Sequence, residues 1–101
     1  MATVSVRVIE VLMEQSGENN GREWIRGGFV GAVLEDEKRS LAFLTYGRKR
    51  TTIVNSLRVG DVVVVEYRPE SRKFMGKWYT ELRLTDIMVA AAVVNPKSVD
   101  E

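Results

Sequence analysis

The stretch Ser40-Leu41-Ala42-Phe43-Leu44-Thr45-Tyr46-Gly47-Arg48-Lys49-Arg50-Thr51-Thr52-Ile53-Val54-Asn55-Ser56-Leu57-Arg58-Val59-Gly60-Asp61-Val62-Val63-Val64-Val65-Glu66 reads as strand, helix, turn and strand in turn. Over Ser40–Tyr46 the side chains alternate, with Leu41 and Phe43 on one face and Ala42, Leu44 and Tyr46 on the other, the period of two that marks a strand. Gly47 ends it. Arg48–Leu57 follows as a short helix whose Ile53, Val54 and Leu57 fall at helical spacing, although Thr51-Thr52-Ile53-Val54 is β-branched and a poor helix former. Val59-Gly60-Asp61 then makes a tight turn into the apolar strand Val62–Arg68.

Working outward, the N-terminal side offers two more strands. Thr3–Glu14 is a long one in which Val4, Val6 and Val8 alternate before the apolar set moves to Ile9, Val11 and Met13. A phase switch inside one strand predicts a bulge, and a closing barrel needs such a bend in its first strand. Residues 15–22, Gln-Ser-Gly-Glu-Asn-Asn-Gly-Arg, are dense in turn formers and read as a connection. Glu23–Glu35 is the second strand, with Gly27, Gly28 and Gly31 reserved for barrel curvature or for close approach of a ligand. Asp36-Glu37-Lys38-Arg39 reads as a charged turn. On the C-terminal side Pro69 and Gly76 flank a hairpin, Trp78–Val89 is the last strand, and residues 90–101 are expected to fray as a tail. Three strands, a helix and two strands with short connections is the order of an OB-fold. The expectation is therefore an all-β, five-stranded OB-fold Greek-key barrel over residues 1–89, with one short helix between strands three and four.

Composition bounds the chemistry. A chain of 101 residues with 45% hydrophobic content holds one domain and one core. It has no cysteine and no histidine, which removes disulfides, thiolate metal sites and every Ser-His or Cys-His arrangement. Glu35, Asp36 and Glu37 are adjacent carboxylates of a solvated turn rather than an acid–base pair, and Gly27-Gly28 lacks the Lys-Ser/Thr of a phosphate loop. No enzymatic activity, cofactor or metal is expected. Residues 1–7 do not have the pattern of a signal peptide and the longest apolar runs are too short to span a bilayer, so a cytoplasmic protein is expected. The net charge of +1 hides an asymmetry: residues 44–83 carry nine Lys or Arg against four Asp or Glu, a local +5, and the remainder is −4. A polyanion responds to the basic face, not to the net charge.

Phe43-Leu44-Thr45-Tyr46-Gly47-Arg48, followed by a helix and then Leu57-Arg58-Val59-Gly60-Asp61-Val62-Val63-Val64-Val65, resembles the bacterial single-stranded DNA-binding proteins. The basic hairpin and the aromatic opening of the last strand, Gly76-Lys77-Trp78-Tyr79-Thr80-Glu81, are similar to that family as well. A closer likeness is to a small uncharacterised bacterial family of Bacteroidetes type. It shares the Ser71-Arg72-Lys73-Phe74-Met75-Gly76-Lys77-Trp78-Tyr79-Thr80 hairpin and the Gln15-Ser16-Gly17…Trp24 pattern. The resemblance implies an OB-fold, single-stranded DNA as ligand and assembly into dimers or tetramers. The chain departs from the single-strand binders at Ser98-Val99-Asp100-Glu101, which lacks their terminal aromatic.

Holding a single strand takes cations along the backbone path and aromatic faces on which bases stack. Arg68, Arg72, Lys73, Lys77 and Arg83 lie on or beside the last hairpin, interleaved with Phe74, Trp78 and Tyr79. Arg48, Lys49 and Arg50 open the helix just after Tyr46, where three cations oppose the helix dipole unless an anion is near. Trp24 and Arg26 share a strand face and read as a stacking platform beside a phosphate contact, or as a plug at the barrel end. Of the Trp78-Tyr79 pair, Trp78 is expected in the core and Tyr79 outside. These fourteen residues point to binding of single-stranded nucleic acid, DNA in preference to RNA, with little sequence specificity. The rival is a protein-interaction or assembly module that uses the same hairpin and Phe74-Met75 for oligomer contacts.

Overall fold

Alternating β-branched and aromatic residues give all but one of this chain's strands a face toward a shared core. The computed structural model describes residues 2–92, which form β1 (Ala2–Val11), β2 (Gln15–Asn19), β3 (Arg22–Val33), β4 (Asp36–Tyr46), α1 (Arg48–Asn55), β5 (Val62–Phe74) and β6 (Lys77–Ala91). Five of the strands close a ring in the order β1-β5-β6-β4-β3, because β1 pairs with both β5 and β3. All neighbours are antiparallel except β4 and β6, which meet in parallel at Phe43↔Leu82 and Leu44↔Arg83. The first strand bends where its phase switches: the β1–β3 register shifts between Val8 and Glu10, and Ile9 is left exposed.

Inside the ring lie Val6 and Val8 of β1, Phe29 and Val33 of β3, Phe43 of β4, Val63 and Val65 of β5 and Leu84 of β6. Val54 and Leu57 join them from α1 and the turn behind it. Each large side chain so buried contributes about 1.5–3 kcal/mol relative to exposure. The three glycines of β3 serve this packing, and none of them opens toward a ligand. A Cβ on Gly31 would sit 2.5 Å from Cγ2 of Val6, and one on Gly27 would sit 2.8 Å from Cγ2 of Thr51. At Gly28 it would meet the carbonyl oxygen of Phe43. Backbone yields less readily than a side chain, so Gly28→Ala is expected to lower stability by about 1–3 kcal/mol, seen as an earlier thermal melt by circular dichroism.

Several elements differ from the sequence expectation. The sheet has six strands, not five: residues 15–19 pair with β3 from Gln15↔Arg26 to Asn19↔Arg22. Asn20 (φ 54°) and Gly21 (φ 78°) make the two-residue turn, the left-handed pair that matches the twist of a hairpin. The charged run at residues 36–39 opens β4 instead of forming a turn, because the chain reverses at Leu34 and Glu35 with Val33↔Asp36 paired. In α1 it is Thr51 and Val54 that are buried, while Ile53 faces solvent; the helix also ends at Asn55, two residues early. Ala90 and Ala91 belong to β6, Ala92 follows it outside any strand, and residues 93–101 of the expected tail lie outside the described residues. β5 runs on through Pro69, which a strand edge tolerates; among the described residues β1 accompanies β5 only as far as Tyr67. Beyond Pro69↔Leu82, the last level at which β6 also pairs with β4 among the described residues, β5 and β6 continue alone as a two-stranded ribbon, turning at Met75 (φ 50°) and Gly76 (φ 81°).

Candidate nucleic-acid interface

Because side chains alternate along each strand, one pairing register fixes what lies on the outside of the whole sheet. Phe29, Phe43 and Leu84 point inward, so their neighbours point out. Across the strands the outward set is Trp24 and Arg26 on β3, Leu44 and Tyr46 on β4, Glu81 and Arg83 on β6, and Arg68 and Glu70 on β5. The same face continues along the ribbon as Arg72↔Tyr79 and Phe74↔Lys77. The parallel pair Leu44↔Arg83 is the seam that joins the β3–β4 half of this face to the ribbon.

At the seam the side chains form one cluster. The Arg83 guanidinium lies over the Tyr46 ring, 4.4 Å from its centroid, and donates through Nη2 to Glu81 at 3.1 Å. The Tyr46 hydroxyl donates to the same carboxylate at 3.0 Å. Glu70 stands 3.5 Å from Nε of Arg83 and accepts from Nε of Arg68 at 2.9 Å. Burial alone would raise the Glu81 carboxyl. The hydrogen bonds from Arg83 and Tyr46 and the charges of Arg83 and Arg72 outweigh it and hold Glu81 below the usual carboxylate range. The Glu81 hydrogen bond, opposed by burial and aided by the charge of Glu70, raises Arg83 in turn.

Toward β2 the face ends on Trp24. Its indole lies across Gly17, its cross-strand partner, where a Cβ would come within 2.6 Å of the ring. The ring is 42% exposed, so it is neither a core plug nor a free side chain. Beside it the Arg26 guanidinium donates to Oε1 of Gln15, through Nε at 2.7 Å and also through Nη2. An open cleft next to Trp24 and Tyr46 is lined by Arg48 but also by Glu14, Glu18 and Glu23. Carboxylates on that wall turn phosphates away, which leaves the basic path on the ribbon side.

The fourteen candidate residues divide. Trp24, Arg26, Tyr46, Arg68, Arg72, Phe74, Lys77, Tyr79 and Arg83 share the outer face, and Arg48 borders it at the cleft. Lys73 and Trp78 pair with each other on the opposite side of the ribbon, the side where Ser71 and Thr80 hydrogen bond at 2.8 Å. Trp78 is not in the core. It is 69% exposed and Tyr79 is 52% exposed, because the ribbon projects past the ring and, among the described residues, nothing packs on either side of it there. Arg50 is a structural tie, donating to the carbonyl of Leu84 at 3.2 Å, and Lys49 is exposed at the start of α1. Sequence reasoning missed Glu70, Glu81 and Gln15. The signal existed: opposite charges at spacing two, Arg68-x-Glu70-x-Arg72 and Glu81-x-Arg83, must share a strand face.

No family model matches this chain, and no curated protein matches it, so the likeness to the small bacterial family stands on the sequence motifs alone. Among solved structures, the crystal structure of the small single-stranded DNA-binding protein from Streptomyces coelicolor is similar, with 17% identity over 87% of this chain and 91% of that chain. The TM-score is 0.46, and a likeness of that size carries no argument about what this chain binds. Among the described residues no helix is long and apolar enough to cross a membrane.

Proposed function

We propose that the ring of strands is an OB-type barrel whose outer face binds single-stranded nucleic acid, DNA in preference to RNA, with little sequence specificity. The observation that supports this is one continuous face on which Trp24, Tyr79 and Phe74 alternate with Arg26, Arg83, Arg72 and Lys77. Phe74 is 61% exposed, and Trp24 and Tyr79 are open as well. Exposed aromatic rings offer every base a π-face, and the cations between them follow a phosphate backbone. Base stacking and phosphate contacts discriminate little between bases, hence the lack of sequence preference.

The test is fluorescence anisotropy of labelled dT and mixed-sequence oligonucleotides of several lengths, at two salt concentrations, with duplex DNA as control. Length-dependent, salt-sensitive binding of single strands over duplex is expected; absence of binding at low salt would remove the proposal. The two sides of the ribbon make a sharper comparison. Arg72→Ala is expected to weaken binding and to flatten the salt dependence by about 0.7 in slope, the share of one phosphate contact on a single strand. Lys73→Ala, on the opposite side, is expected to do much less. Equal losses would mean that the strand does not follow the Arg72 side.

One observation favours a second role for the ribbon tip. Met75 and Trp78 are exposed apolar side chains at and beside the turn, suited to contact with another protein or another copy of the chain. Light scattering with and without oligonucleotide separates assembly from binding.

A further inference from the structure

The cations of the outer face are not equivalent. Among the described residues Arg72 and Lys77, out on the ribbon, form no ion pair, whereas Arg68 and Arg83 at its base are both held by carboxylates. Glu70 lies between the two guanidinium groups, 2.9 Å from Nε of Arg68 and 3.5 Å from Nε of Arg83. Glu81 accepts from Nη2 of Arg83 and from the Tyr46 hydroxyl. A carboxylate oxygen on a guanidinium edge makes the same charge-assisted hydrogen bond that a phosphate oxygen would make there. Arg83 also covers one face of Tyr46, so a base reaches that face only when the guanidinium moves.

Ion pairs between partly exposed side chains contribute little to folding, and these sit at the root of a ribbon whose far half is solvated on both sides. Two acidic side chains in the middle of a basic, aromatic face instead oppose a polyanion where the path crosses from the barrel to the ribbon.

We propose that Glu70 and Glu81 are affinity-setting residues that occupy Arg68 and Arg83 in place of ligand phosphate, so that a bound single strand must displace them. This rests on the single-strand-binding reading above. It makes binding a competition between two acids, one within the chain and one in the ligand, and it keeps the bound strand exchangeable.

The experiment measures oligo-dT affinity and its salt dependence for the wild type, Glu70→Gln/Glu81→Gln and Glu37→Gln. Glu37 pairs with Arg7 at 3.4 Å on an exposed surface at the opposite end of β4 from Tyr46, so its replacement makes a comparable change, with half the shift in charge, away from the site. The double variant is expected to bind roughly tenfold more tightly at low salt, as freed cations on a binding face do. Its log–log salt slope should steepen by up to about 1.4, or 0.7 for each arginine released to a phosphate. Glu37→Gln should change neither quantity appreciably. Wild-type binding with no gain in the double variant would overturn this inference and leave the single-strand reading intact. An equal gain in Glu37→Gln would overturn it too, since net charge alone would then suffice. A wild type that does not bind at low salt would remove the single-strand reading and this inference with it.

Discussion

Trp24→Ala is expected to weaken binding of a dT oligonucleotide by roughly 5- to 150-fold, the equivalent of about 1–3 kcal/mol for one stacked base. Trp24 earns that weight by its position. It is 42% exposed, sits on the same strand face as Arg26 and lies in the row that runs through Tyr46 to Arg83. Its ring is also fixed in place, since it lies across Gly17, and Gln15 holds the neighbouring Arg26 guanidinium. A ring already held flat loses little conformational freedom when a base stacks on it. The substitution also uncovers Gly17 and can loosen β2, so Trp24→Phe, which keeps an aromatic cover, is the companion variant and should recover most of the affinity. Trp78→Ala is the contrast: on the far side of the ribbon it should leave most of the binding in place. Anisotropy titrations at one fixed low salt concentration decide between them. Unchanged affinity in Trp24→Ala, with wild-type binding intact, would exclude the β3 platform from the path.

Phe43→Ala is expected to cost about 3–5 kcal/mol of folding stability, the range for deleting a buried phenyl ring. Against the roughly 5–15 kcal/mol that holds a domain of this kind together, that removes between about a fifth and all of the margin. The side chain is fully buried and its ring lies 5.3 Å from both Phe29 and Tyr67, edge-on to the latter. It also stands at the seam, where Phe43↔Leu82 and Leu44↔Arg83 are the two register pairs that join β4 to β6. A cavity there removes packing from the place where the ring is held by the fewest backbone pairs. Urea denaturation followed by circular dichroism measures the loss, and Phe43→Leu should cost markedly less because it refills part of the space. A loss below about 1 kcal/mol in Phe43→Ala would mean that the core is not organised around this ring.

Much of the architecture is legible in the chain because strand and helix periods are local. Val4, Val6 and Val8 followed by Ile9 and Val11 announced the bend that appears as the β1–β3 register shift. The strand–Gly47–helix–turn–strand passage placed α1 and the start of β5 within a few residues. β2 was not read as a strand, because residues 15–19 are polar and carry no apolar alternation; its one local mark is Asn20-Gly21, a two-residue pair that adopts the left-handed conformations of a tight hairpin.

The site divides along the same line. Alternation by itself places Trp24 with Arg26, Arg72 with Phe74, and Tyr79 with Glu81 and Arg83, since residues two apart on a strand must share a face. It does not say whether anything covers that face. Trp78 looked like a core residue because it is in phase with Leu82 and Leu84, yet the ring ends below it, and only the lengths of the neighbouring strands determine where the ring ends. Nor does local sequence bring Tyr46 to Arg83 and Glu81, more than thirty residues away along the chain; the parallel pairing of β4 with β6 does that. The period of a strand is a property of neighbouring residues, whereas coverage and cross-strand partnership depend on which distant segments pair, and pairing is settled by burying the whole core at once.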